Sequence, residues 1–221
     1  MVTAVLFDLD CTLVDRLEQT RRYAVQFAAH FRDHLVHADP VHLADVILAA
    51  DGLGYRPATR FADMIEQLQW HYRPALVDLE SHWYAHFASL AVAMDGAVEV
   101  LAALQTKGLS LGIITNGSVG SQRTKIDQLG LQTYCQAIVI SEAVGMKKPD
   151  PAIFQHALDA LGVPPASAWF VGDHPVNDIA GAQRAGLTPV WLAGSHPWPS
   201  DREPPPYRIT HVSELLPLMI S

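Results

Sequence analysis

The rhythm of hydrophobic positions changes twice along this chain. The run from Val2 to Phe7 is apolar except for Thr3 and reads as a buried strand. It stops abruptly at Asp8 and Asp10. From Leu17 to Leu90 the apolar positions recur at helical spacing with no strand pattern between them. Helices are expected near 17–35, from Asp39-Pro40 to about Ala50, near 58–70 and near 78–90. Asp39 reads as an N-cap with Pro40 in the first turn, and Gly52 and Gly54 mark a turn.

From Met94 helical stretches alternate with short apolar runs. The pattern predicts helices over 96–107, 119–129, 150–161 and 176–185, and strands over 109–114, 137–140, 168–171 and 188–192. Gly108, Gly130, Gly162 and Gly186 close the helices. Such alternation implies an α/β fold, a doubly wound parallel sheet covered on both faces. Residues 195–208 are rich in proline and read as a loop, and Ser213 reads as the cap of a last short helix reaching Met219. The first strand shares a sheet with the later ones. The expected division is therefore residues 1–15 with 93–221 as one α/β domain, and 16–92 as an all-helical insertion.

Composition narrows the function. The 221 residues are 49% hydrophobic, enough for a full core and a smaller second unit. The formal net charge is -8, with lysine only at positions 107, 125, 147 and 148 and no basic run, which argues against nucleic acid. No apolar run reaches the ~18 residues of a membrane span. The start carries no secretory pattern, and Cys11 and Cys135 offer no disulfide framework, so a reducing cytoplasm is expected. Oligomeric state is left open by these features.

Chemistry gathers after the strands. Asp8 and Asp10 follow the first, Thr115-Asn116-Gly117 the second, Lys147-Lys148-Pro149 the third and Gly172-Asp173 with Asp178 the fourth. In a parallel sheet these segments face one edge, where ligands of open α/β sheets collect. Each alone also fits a loop, a turn or a helix cap. Together they put carboxylates, a hydroxyl and a lysine in one place.

This order resembles the haloacid dehalogenase superfamily: Asp8-Leu9-Asp10-Cys11-Thr12, then Thr115, then Lys148 before Pro149, then Gly172-Asp173 with Asp178. The resemblance covers the whole chain and implies a Rossmann-like core with a helical cap inserted after the first strand. It implies Mg2+-dependent hydrolysis of small phosphate monoesters through an aspartyl-phosphate. Asp8 would be the nucleophile and Asp10 the general acid and base. Asp8 and Asp173 would hold the metal by side chains and Asp10 by its carbonyl, with Asp178 behind them. Lys148, Thr115, Thr12 and the backbone near Leu9, Asp10 and Asn116 would hold phosphate oxygens. The implied partner is a small phosphorylated metabolite enclosed under the cap.

Alternatives within the superfamily are a sugar-phosphate mutase and a dehalogenase; outside it, a catalytically silent binding protein. Halide leaves without a proton, so Asp10 favours phosphate esters over the dehalogenase. Phosphonate-cleaving relatives use a cap lysine for a Schiff base, and residues 16–92 contain none. Cys11 departs from the family's usual glycine, so the loop is expected to avoid conformations that glycine alone favours. The pairs His30/His34 and His82/His86 have i,i+4 spacing, but no carboxylate or cysteine completes a metal set, and solvated helix faces are the expected account. Trp70, Tyr72, Trp83, Tyr84 and Phe87 read as core of the helical block, and His174 as a neighbour of substrate or water.

Overall fold

The computed structural model describes residues 1–219; the last two residues of the expected core segment lie outside the described residues. The strands are β1 (Ala4–Phe7), β2 (Ser110–Thr115), β3 (Ala137–Ile140), β4 (Ala168–Gly172), β5 (Thr188–Leu192) and β6 (Tyr207–Ile209). The α-helices are α1 (Arg16–His30), α2 (Pro40–Asp51), α3 (Arg60–Gln67), α4 (Leu76–His86), α5 (Ala97–Thr106), α6 (Val119–Gln128), α7 (Ser141–Val144), α8 (Pro151–Leu161), α9 (Gly181–Arg184) and α10 (Leu215–Leu218). They form two compact units: Met1–Val14 with the chain from Ala93 onward, and Asp15–Val92.

In the first unit all neighbouring strands pair parallel in the order β3-β2-β1-β4-β5-β6. Strand order therefore reverses at β1, the place where doubly wound sheets open a crevice at the carboxyl ends of their strands. β1 is fully buried, as a central parallel strand must be, with Phe7 opposite Ile113 on one side and Val171 on the other. One core layer packs Ile153, Phe154, Ala157 and Leu158 of α8 against Leu6, Ile114 and Phe170 of the sheet. Asp150 caps α8 by accepting from the Ala152 N–H at 3.0 Å, Pro151 fills the first turn, and Gly162 ends the helix in the left-handed region.

Three expectations for this unit are corrected. The proline-rich stretch ends in the edge strand β6, whose three residues are too few to show a period. The helix expected at 176–185 is a π-helical turn over Pro175–Ala180 followed by α9. The last helix begins with a 3-10 turn over Val212–Glu214, and the cap is His211, whose N–H is accepted by the Glu214 carboxylate at 3.1 Å, not Ser213.

The helical unit has its own core of Tyr23, Phe27, Leu43, Ile47, Met64, Leu79, Trp83 and Phe87. Asp15 caps α1, and Asp39 and Pro40 open α2 as expected. Helix α1 ends at His30 rather than near 35, because the following backbone bonds to residues 69–72 instead: the Val36 N–H donates to the Gln69 carbonyl and the His71 N–H to the His34 carbonyl. Tyr72 and Tyr84 are exposed rather than core. His82 is not on a solvated face. It is buried between His30 and His86 and bonds the Tyr23 hydroxyl at 2.9 Å through Nδ1. Burial, with the two neighbouring imidazoles, pushes His82 down to about 4.

Asp51, inside the expected turn signal, is fully buried between two guanidiniums. Arg16 Nε donates to its Oδ2 at 2.8 Å and Arg60 Nε to its Oδ1 at 2.6 Å. Arg60 also lies over the Trp83 ring, 4.4 Å from its centroid.

Candidate active site

The polar residues at the carboxyl ends of the strands form two hydrogen-bonded networks. The first is centred on Lys148, whose buried ammonium lies 2.7 Å from Asp8 Oδ1 and 2.7 Å from Asp178 Oδ1. Asp8 directly follows β1, and its N–H continues the ladder to the Val171 carbonyl. Asp173 directly follows β4, and its carboxylate accepts from His196 Nδ1 at 2.8 Å. Carboxylate oxygens of Asp8, Asp173 and Asp178 lie within 4.8 Å of one another, all three side chains buried.

Two local devices build this cluster. Gly172, the last residue of β4, leaves room for Asp178: a Cβ there would stand 2.5 Å from the Asp178 carboxyl carbon. The first π-helical turn then aims Asp178 back, with its Oδ2 accepting from the His174 N–H at 2.9 Å. The Asn116 side chain brackets the Lys148 backbone, its Oδ1 accepting from the Lys148 N–H and its Nδ2 donating to the Lys148 carbonyl, both at 2.9 Å.

Three carboxylates so close are short of positive charge. Burial, followed by the charge of Asp178, pushes Asp8 up to about 7, and Lys148 only partly offsets it. Burial likewise raises Asp173 and Asp178. Burial alone would pull Lys148 down, but Asp178 and Asp8 together hold it above the usual lysine value. Burial also works against His196, but its bond to Asp173 wins and raises it. An all-oxygen donor set of this kind fits a hard divalent cation.

The second network holds Asp10. Lys125 Nζ of α6 donates to Asp10 Oδ1 at 2.7 Å and to Oδ2 at 2.9 Å. Gln122 Nε2 donates to Asp10 Oδ2 at 2.9 Å and to the Thr115 hydroxyl at 2.6 Å. Thr12 is fully buried, and its hydroxyl has no partner among the described residues. Leu9 is buried too, and its carbonyl closes the loop by accepting from the Leu13 and Val14 N–H groups, each at 2.9 Å.

Cys11 corrects an expectation. It sits at φ 59°, in the left-handed region, despite its Cβ. That conformation costs roughly 1–2 kcal/mol for a residue with a side chain. The turn tolerates it because the Cys11 N–H is committed to the Val14 carbonyl at 2.9 Å. His174 is also not poised toward a ligand through Nδ1. That atom accepts from the Val176 and Asn177 N–H groups and caps the π-helical turn.

Sequence reasoning missed Lys125, Gln122 and His196. A lysine and a glutamine three apart on a helix, both on the side of the buried Ile126, were a usable signal. His196 had none, since its partner lies across a loop without periodicity.

The model for haloacid dehalogenase-like hydrolases matches residues 5–192. The chain belongs to this family. As a haloacid dehalogenase-like hydrolase it is 32% identical over 201 residues to a glyceraldehyde 3-phosphate phosphatase of Pyrococcus abyssi, covering 87% of this chain and 82% of that protein. It is 28% identical over 235 residues to the N-acylneuraminate-9-phosphatase of Mus musculus, covering 100% of this chain and 94% of that one. Its fold matches a solved structure of the putative hydrolase YfnB from Bacillus subtilis with a TM-score of 0.77 at 22% identity, over 99% of this chain and 98% of that one. Relatives of this hydrolase are thus named phosphatases, and its six-stranded parallel sheet is the family's. Among the described residues no helix is long and apolar enough to cross a membrane.

Substituting Gly172 tests the packing behind the cluster. Gly172→Ala should lower any phosphatase turnover by at least about 100-fold, because Asp178 must move and Lys148 loses one of its two carboxylate partners. Circular dichroism should show the secondary structure retained. Turnover within about 2-fold of the parent would show that Asp178 can shift without consequence.

Proposed function

We propose that this chain hydrolyses small phosphate monoesters with Mg2+ through covalent phosphorylation of Asp8. The observation that carries the reading is the buried group Asp8, Asp173 and Asp178 with Lys148, standing beside the switch point of the sheet. Phosphatase relatives over most of the chain support it.

Asp8, Asp173 and the Asp10 carbonyl would hold Mg2+, with Asp178 behind them fixed by Lys148 and the His174 N–H. When bound, the ion supplies charge neutralisation that lets a carboxylate approach an anionic ester. An Asp8 carboxylate oxygen attacks phosphorus, and the bond from phosphorus to the ester oxygen breaks. Asp10 gives its proton to that leaving oxygen. Asp10 then takes a proton from water, whose oxygen attacks phosphorus. The bond to Asp8 breaks, releasing inorganic phosphate and restoring both carboxyl groups. Lys148, Thr115, Thr12 and N–H groups near Leu9, Asp10 and Asn116 hold the remaining phosphoryl oxygens. The helical unit acts as the family's cap in this reading, and the enzyme works in the cytoplasm.

A panel of phosphorylated metabolites and an aryl phosphate tests this. Phosphate release should require Mg2+ and stop with EDTA. Folded protein that releases none across the panel would leave the binding-protein reading in its place.

The raised carboxylates add a prediction independent of turnover. Asp8, Asp173 and Asp178 hold protons in the folded state that the unfolded chain has already released. Without metal, stability therefore falls as pH rises from about 4 towards about 7, and His196 loses its own contribution in the same direction as it deprotonates. Mg2+ competes with those protons. It should raise the melting temperature by at least about 4 °C more at about pH 8 than at about pH 5, each kcal/mol being worth roughly 2–4 °C in a chain of this size. Equal shifts at both pH values in thermal melts would count against a metal at these carboxylates.

A further inference from the structure

We propose that Lys125 and Gln122 are positioning residues that fix the carboxylate of Asp10 for its proton transfers. This inference rests on the phosphatase reading above. Lys125 sits on α6 with its side chain only 2% exposed, a costly place for an ammonium unless it is closely paired. It meets both oxygens of Asp10, at 2.7 and 2.9 Å, and a third contact runs to Gln122 Oε1 at 3.0 Å. Gln122 is itself buried, and its one amide nitrogen serves two acceptors, Asp10 Oδ2 and the Thr115 hydroxyl. The plane of the Asp10 carboxylate is therefore set by donors on both oxygens.

A separate feature keeps space for this arrangement. Gly117 has φ +150°, where side chains are rarely found, and a Cβ there would stand 3.0 Å from Gln122 Cγ and Cδ. The loop after β2 thus carries no side chain where Gln122 lies. Asp10 keeps a side-chain exposure of 19%, so it is held without being sealed.

Contact to both oxygens, with an amide bridging to the proposed phosphate-binding hydroxyl, fixes the plane of the carboxylate in the ionised form that takes a proton from water. Proton transfer falls steeply with small errors of distance and angle. The clamp should therefore matter to the steps Asp10 serves and little to substrate binding.

Lys125→Met keeps the volume and removes the charge. Its kinetics should be followed by rapid mixing with 2,4-dinitrophenyl phosphate and with an alkyl phosphate, in Mg2+. Dinitrophenolate leaves without a proton, so phosphorylation of Asp8 should proceed while hydrolysis of the acyl phosphate slows. The expected result is a burst of about one equivalent of dinitrophenolate per chain, followed by a steady rate roughly 10–100-fold below the parent. The alkyl ester should lose at least as much turnover and show no burst. For the aryl ester kcat/KM, which the phosphorylation step sets, should change by less than about 3-fold, so that KM falls with the steady rate, and methylammonium should restore part of the rate to Lys125→Ala.

Turnover within about 2-fold of the parent with no burst, or a loss expressed mainly in KM, would overturn the proposal. If Lys125→Met does not fold, Gln122→Met carries the test, with a burst and a fall of at least about 3-fold expected and unchanged kinetics decisive against it. Parent protein that hydrolyses neither ester would overturn the phosphatase reading and this one together. An active parent with unaffected variants would overturn this one alone.

Discussion

Asp8→Asn should reduce turnover by on the order of 10⁴-fold or more and leave the folded structure at least as stable as the parent. The amide keeps the shape of the carboxylate but is a poor nucleophile, so no acyl phosphate forms. The stability half of the result is less usual for a buried ion-pair residue. Asp8 is pushed up to about 7 because burial and the charge of Asp178 outweigh Lys148. Its ionised form is therefore a burden on the folded state, and the amide removes that burden while Lys148 keeps Asp178 at 2.7 Å. In metal-free buffer at about pH 8 the melting temperature of the variant should equal or exceed the parent's, and its response to Mg2+ should shrink. A variant that hydrolyses esters at more than about one-tenth of the parent rate would remove Asp8 from the nucleophile's role. A large loss of stability would mean that Lys148 needs both carboxylates, and the electrostatic account of the site would have to change.

Legibility in the sequence followed the range of each interaction. The strands β1 to β5 showed as short apolar runs because parallel strands bury both faces. Asp39-Pro40 marked a helix start because an N-cap and its N–H partners lie within three residues. Asp8, Thr115 and Asp173 were placed at one sheet edge for the same reason, since each stands at or next to a strand end, whereas Lys148, beyond β3 and the short helix α7, was placed by its position before Pro149 in the motif order. What stayed hidden was pairing across the chain. Lys125 meets Asp10 across 115 positions and His196 meets Asp173 across 23, with no local pattern linking either pair. The left-handed Cys11 was hidden because its conformation is held by a backbone bond to Val14, not by its own preference. Gly172 was read as part of a motif, yet its need is steric and becomes visible only when Asp178 folds back upon it.

The helical unit supplies the largest stability effect. Asp51→Ala should destabilise the protein by about 3–5 kcal/mol, the usual cost of removing one partner from a buried ion pair. The geometry argues for the upper part of that range. Asp51 is fully buried, with one oxygen on Arg16 and the other on Arg60, so its loss takes a carboxylate partner from two buried guanidiniums at once. Burial already lowers Arg60 from its ordinary value, and Asp51 is the main influence holding it up, while Arg16 pushes it further down. The ring of Trp83 beneath Arg60 compensates only in part, since such contacts are worth roughly 0.5–2 kcal/mol. Arg60→Leu should cost less, because Asp51 keeps Arg16 and one buried cation is gone with its desolvation. Denaturant titrations of the full chain should therefore rank the parent above Arg60→Leu and Arg60→Leu above Asp51→Ala. The reverse order would mean that packing of the Arg60 stem on Trp83, rather than charge neutralisation by Asp51, holds these helices together.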